Sequence, residues 1–190
     1  MLYVSFKGGS WMSVEELFLS NSLKEFQGIK KLGDLTMKQL SFEELVWQPS
    51  SESNSIAIIV KHLSGNMISR WTDFLTSDGE KTWRNRDEEF EGTYSSKEEL
   101  LEAWEKGWNV VFTTIKHLKE DDILKTITIR GEAHFVLQAI HRQISHYGYH
   151  IGQIVYVGKQ VKNEQFTSLS IPRGQSEQYL NEKLKNVKQT

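Results

Sequence analysis

The sequence predicts an all-α protein, a four-helix bundle with a short extra helix at its C-terminal end. Three observations predict it. Only two prolines, Pro49 and Pro172, interrupt 190 residues, so long stretches are free to run as helices. Apolar residues recur every three to four positions over four separate segments, the period of a helix face. Ser13 with Glu16, and Ser96 with Glu99, have the Ser-x-x-Glu spacing of capping boxes, each just ahead of such a segment.

Residues 1–11 read as a flexible N-terminal extension, and residues 12–190 as a single domain. The first helix is expected from about Val14 to about Gln39, with Leu19, Leu23, Phe26 and Ile29 on its apolar face. Gly28 and Gly33 weaken or bend it. A short turn follows in SFEELVWQPSSES. The second helix is expected from about Asn54 to Thr76, striped by Ile56, Ile59, Val60, Leu63, Met67, Trp71 and Phe74. The next segment, SDGEKTWRNRDEEFEGTYS, is too charged for a core and reads as a solvated loop crossing the end of the bundle. Leu101, Trp104, Trp108, Val111, Ile115 and Leu118 give the third helix its seam. ILKTITIR alternates and is β-branched, which predicts a short extended piece. The fourth helix is expected from about Glu132 to about Gln160, and a short helix in QSEQYLNEKL ends the chain.

Composition excludes several function classes. Lys and Arg number 23 and Asp and Glu 25, a net charge of −2, so no basic excess points to nucleic acid or to anionic lipid. The absence of cysteine excludes disulfides, thiolate metal ligands and a cysteine nucleophile. No apolar run reaches the roughly 20 residues that span a bilayer. MLYVSFKGGSW lacks the apolar core of a signal peptide, and a cytoplasmic protein is expected. GGS at residues 8–10 lacks the helix and lysine of a phosphate loop, and no GxSxG elbow is present.

The chemistry concentrates in the fourth helix. Its apolar seam is Ile140, Ile144, Tyr147, Ile151 and Ile154. A second seam beside it, Ala139, Gln143, His146, His150, Gln153 and Val157, turns four polar side chains toward the same interior. Buried without partners, each would cost about 1–3 kcal/mol. His146 and His150 stand four apart on one face, so both imidazoles can reach one metal ion. His62, on the flank of the second-helix stripe, supplies a third. Three histidines leave coordination positions open, which suits catalysis better than structural closure.

Each of these residues has a plainer reading. A histidine beside an apolar stripe is more often a hydrogen-bonded core residue than a ligand. Gln143, Gln153 and Asn66 could orient the imidazoles or simply bond between helices. Trp47 could line a pocket mouth, as could Trp83. His141 and His117 read as peripheral or exposed, and His134 as a residue opening the fourth helix. No carboxylate stands at ligand spacing from any histidine, so a triad with Asp or Glu is not supported.

VWQPSSESNSIAIIVKHLSGNM and HYGYHIGQI together resemble the DinB-like superfamily of metal-binding four-helix bundles, which includes bacillithiol S-transferase-like proteins. WRNRDEEFEG and SIPRGQSEQYLN look closest to an uncharacterised branch from bacilli, and the resemblance covers about Met12 to Leu184. It implies an up-down-down-up bundle with a crossover between helices two and three. It implies a divalent metal, zinc or nickel, on His62, His146 and His150, and a homodimer. It also implies a low-molecular-weight thiol such as bacillithiol, activated on the metal for transfer to an electrophilic small molecule; a hydrolase is a variant of the same idea. Two rivals stand beside this thiol S-transferase. One is a non-catalytic metal- or ligand-binding stress protein, the other a structural dimerising bundle with hydrogen-bonded core histidines.

Overall fold

The computed structural model describes residues 3–5 and 11–187. It is mostly helical, with two short antiparallel strand pairs. Tyr3–Ser5 (β1) pairs antiparallel with Trp11–Ser13 (β2), Tyr3 opposite Ser13. The rest of the expected N-terminal extension lies outside the described residues. Helix α1 runs Val14–Met37, and its first turn is capped by Ser13, whose Oγ accepts from the Glu16 amide at 2.9 Å.

The segment expected as a turn holds a one-turn helix, α2, at Phe42–Val46. It is closed by a full capping box: Ser41 Oγ accepts from the Glu44 amide, and Glu44 Oε2 accepts from the Ser41 amide at 2.7 Å. Helix α3 runs Ile56–Trp71 and is capped by Ser55. It stops five residues short of the expected Thr76, because Thr72 turns extended and Asp73 takes a positive φ of 50°. Helix α4, Lys97–His117, starts on Ser96, whose Oγ accepts from the Glu99 amide.

The largest correction to the element map lies ahead of the last long helix. Thr126–Ile129 (β3) and Glu132–Phe135 (β4) form a hairpin, so helix α5 covers Val136–Lys162 and not Glu132 onward. His134 therefore sits on a strand, not at a helix start. Arg130 and Gly131, at φ 57° and 75°, make the two-residue turn, and positive φ at both positions gives a backbone twist that matches the strands. Helix α6, Ser176–Val187, fits the expected tail helix, and its residues up to Lys185 are exposed.

Helix α3 packs most extensively on α4, and α1 on α5; α3 also meets α5, and α1 meets α4. Between them lie Phe26, Trp71, Trp104, Trp108 and Tyr147, all at or near zero exposure. Phe26 meets the Trp71 ring edge-on at 5.5 Å between centroids. Two of its polar tips are satisfied in series. Trp71 Nε1 donates to Tyr147 Oη at 2.9 Å, and Tyr147 Oη donates to Asn66 Oδ1 at 3.2 Å. Trp104 Nε1 donates to Asp34 Oδ1 at 2.7 Å, and Trp108 Nε1 has no partner among the described residues.

The long charged connection does not simply cross in solvent. A single 3-10 turn within it, Asp87–Phe90, packs on α3 and buries Glu89 to 6 % exposure. Among the described residues no helix is long and apolar enough to cross a membrane.

Candidate metal centre

Helix α3 contributes His62, and α5 contributes His146 and His150 one turn apart. One ring nitrogen from each lies within 4.8 Å of the others. The Nε2 atoms of His62 and His146 are 3.4 Å apart, and the ring centroids stand 4.8–5.4 Å apart with steep interplanar angles. His62 is buried; His146 and His150 are half-buried, so the site opens along α5.

The tautomer of His62 is fixed by its other nitrogen. Nδ1 lies 2.9 Å from Glu89 Oε2. Burial alone would push the Glu89 carboxyl up, but hydrogen bonds from Arg84 and His62 outweigh it and hold it below its ordinary value. An ionised carboxylate only accepts, so His62 Nδ1 donates to it and Nε2 is the nitrogen turned to the cluster. Arg84 grips the same carboxylate with two donors, Nε to Oε1 at 2.7 Å and Nη2 to Oε2 at 2.8 Å. Phe90, next in the chain, stacks on the His62 ring at 4.8 Å. Gly65, one turn along α3, makes room for this arrangement, because a Cβ there would collide with Glu89 Oε1.

The chain of charge continues outward. Arg84 Nη1 reaches Glu80 Oε1 at 3.3 Å, and Glu80 Oε2 accepts from Arg70 Nη2 at 3.0 Å and Arg130 Nε at 2.9 Å. Asp78 takes the Arg130 and Gly131 amides on its two oxygens, each at 2.8 Å. The β3–β4 turn is thereby tied, through three ion pairs, to the residue that orients His62.

On α5, His150 Nδ1 faces Gln153 Oε1 at 2.8 Å, which leaves Nε2 of that ring directed elsewhere. Burial, then the neighbouring His150, His62, Arg70 and Arg84, push His146 down to about 3. Burial and His62 also lower His150, against the opposing bond from Gln153. Both rings are therefore neutral at pH 7, the state that ligates metal.

The donor set fits a borderline divalent cation. Three neutral imidazoles around zinc, at about 2.0–2.1 Å each, stand roughly 3.3 Å apart in a tetrahedral arrangement. The His62–His146 pair already has nearly that separation. Imidazole suits zinc and nickel. A carboxylate on the far nitrogen of one ligand is the usual support of such a histidine.

Of the supporting residues read from sequence, Gln153 contacts a histidine. Asn66 is buried but serves Tyr147. Gln143 is buried, and its Oε1 has no hydrogen-bond partner among the described residues. Trp47 closes α2, 39 % exposed, with no hydrogen bond to the histidines among the described residues. His117 and His141 are exposed, as expected. Glu89 and Arg84 escaped the sequence reading: they lie in a mixed charge run, and only the tertiary fold pairs them. Sequence spacing placed no carboxylate among the ligands, and the cluster contains histidines alone; Glu89 supports His62 from behind, on Nδ1.

Neither curated proteins nor solved structures yield a match to this chain. Residues 13–175 match the family described as Protein of unknown function (DUF1572), spanning both helices that carry the histidines, and the chain belongs to that family.

Proposed function

We propose that the protein is a divalent-metal-dependent enzyme of the DinB-like type, a thiol S-transferase acting on electrophilic small molecules. The observation that carries this reading is the convergence of His62, His146 and His150 with no fourth protein ligand among the described residues. The pairwise helix contacts, α1 on α4 and α5, α3 on α4 and α5, support an up-down-down-up four-helix bundle with its crossover between α3 and α4. A zinc or nickel ion held by the three imidazoles would supply Lewis acidity that lowers the pKa of a low-molecular-weight thiol such as bacillithiol.

The chain's own residues prepare that chemistry. Glu89 holds the His62 proton on Nδ1, and Gln153 does the same for His150. His62 is buried, with the Phe90 ring stacked on one face of its imidazole. The half-buried pair on α5 leaves the outer side open to a substrate. Under this reading the protein works as a cytoplasmic homodimer and has no part for nucleic acid or membrane.

Elemental analysis of the untagged protein tests the site. About one zinc or nickel per chain is expected, lost in His62→Ala and in His146→Ala. Full occupancy in His146→Ala would remove the site assignment. A turnover screen with thiols and electrophiles, with metal-free controls, then tests the transferase.

A non-catalytic metal- or ligand-binding role is the second reading, and one observation favours it. Glu89 is the only carboxylate hydrogen-bonded to the three histidines among the described residues, and it is already committed to Arg84 and His62, leaving no free general base there. Metal binding without turnover in that screen would establish it.

A further inference from the structure

A shallow, open pocket of about 810 Å³ runs along α5 and reaches His146 of the histidine cluster. Leu137, Gln138, His141, Arg142, Ser145, His146 and Tyr149 line it. All come from α5, and His146 is the one candidate ligand among them. The lining contains no carboxylate, in a protein with 25 acidic residues and a net charge of −2. Arg70, Arg84 and Arg130 are paired with glutamates, whereas Arg142 is exposed and has no ion-pair partner among the described residues. Gln138 Oε1 is taken by the Phe135 amide at 2.9 Å, which fixes the side chain and leaves its NH2 to donate. The pocket therefore offers a guanidinium, an amide NH2 and the hydroxyls of Ser145 and Tyr149.

We infer that this pocket is an anion subsite in which Arg142 reads a carboxylate of the substrate. The inference rests on the metal-centre reading for what the other end of the substrate meets. Arg142 precedes His146 by four residues, so their Cβ atoms lie about 5–6 Å apart on one helix face. A guanidinium binds a carboxylate through two parallel N–H donors, which fixes orientation as well as charge. A small molecule with a thiol and a carboxylate a few bonds apart can place the carboxylate on Arg142 and the sulfur at the open side of the histidines. Specificity then comes from the anion, while the histidine cluster is the same for any thiol.

The probes are N-acetylcysteine and its neutral amide, which differ in the carboxylate alone. Calorimetric titration of zinc-loaded protein should show the acid binding about tenfold more tightly than the amide. Arg142→Gln should abolish that preference with zinc stoichiometry and amide affinity unchanged, and Arg142→Lys should restore part of it. Equal binding of acid and amide by the wild type would overturn the inference. So would a preference that survives Arg142→Gln, since the carboxylate would then be read elsewhere, at the metal for example. The same titration of metal-free protein keeps the two readings apart. There both probes lose the contribution of the sulfur, but the acid should keep its advantage through Arg142. Absence of zinc binding together with a retained, Arg142-dependent preference would sink the metal centre and leave the anion subsite standing.

Discussion

Two carboxylate oxygens on Glu89 serve one imidazole and one guanidinium, in a place where neither charge could stay alone. Replacing the carboxylate by its amide tests both jobs at once. Glu89→Gln is expected to weaken zinc affinity about 10–100-fold, the usual cost of losing such a supporting carboxylate. It should also destabilise the metal-free protein by about 1–3 kcal/mol, because Arg84 loses the carboxylate it grips with two donors and keeps only the longer pair to Glu80. Chelator competition and urea unfolding measure the two effects separately. His62, His146 and His150 were legible in the sequence because helical spacing alone puts them on inward faces. Glu89 was not. A charged run reads as solvated unless its partners are known, and Arg84 and His62 reach it only through the fold. Asn66 was open to two readings from its spacing, and the fold gives the interhelical one: its Oδ1 accepts from Tyr147 Oη.

Elements differ in how tightly their glycines are held, and α1 contains one of each kind. At Gly33 an added Cβ would lie 2.8 Å from Trp104 Cζ2 and 3.3 Å from Ile151 Cδ1, against a buried ring whose Nε1 is anchored on Asp34. At Gly28 nothing stands within 4 Å. Gly33→Ala should therefore lose about 1–3 kcal/mol to overpacking, more than helix propensity returns. Gly28→Ala should gain up to about 1 kcal/mol from propensity alone. Thermal unfolding of the two variants, side by side, checks the contrast. Sequence showed both as equal weak points, because the neighbour that distinguishes them comes from α4.

The β3–β4 hairpin carries a pH signature as well. Burial would raise the Asp78 carboxyl, but the amides of Gly131, Glu80 and Arg130 outweigh it and hold it well below its ordinary 3.8. A lowered folded-state value means stability that is complete above the unfolded value and is lost as pH falls through the folded one. Asp78→Asn should thus cost stability at pH 6 and less at pH 3, read by urea unfolding at both. The strand pattern of ILKTITIR was legible, but its partner was not: EAHF runs straight into the α5 pattern, and only the turn at Arg130–Gly131 separates them.

At the scale of the whole molecule the three histidines join α3 to α5, two helices also linked by packing and by the Trp71–Tyr147–Asn66 hydrogen bonds. A ligand bound by the folded state alone stabilises it by mass action, about 4 kcal/mol at a thousand times its dissociation constant. Added zinc or nickel should therefore raise the melting temperature of the wild type and leave that of His146→Ala unmoved. The helix order was readable because each apolar stripe is long. That the long connection after α3 folds back onto α3 and backs the site was not readable, since it depends on the space left at Gly65. The most direct test of the central claim is X-ray absorption at the zinc edge of the loaded protein. Three imidazoles at about 2.0–2.1 Å, completed by light atoms from solvent or buffer, are expected. Fewer than three imidazoles, or a shell that changes to one more oxygen on restoring Glu89 to Glu89→Gln protein, would contradict a centre built on His62, His146 and His150.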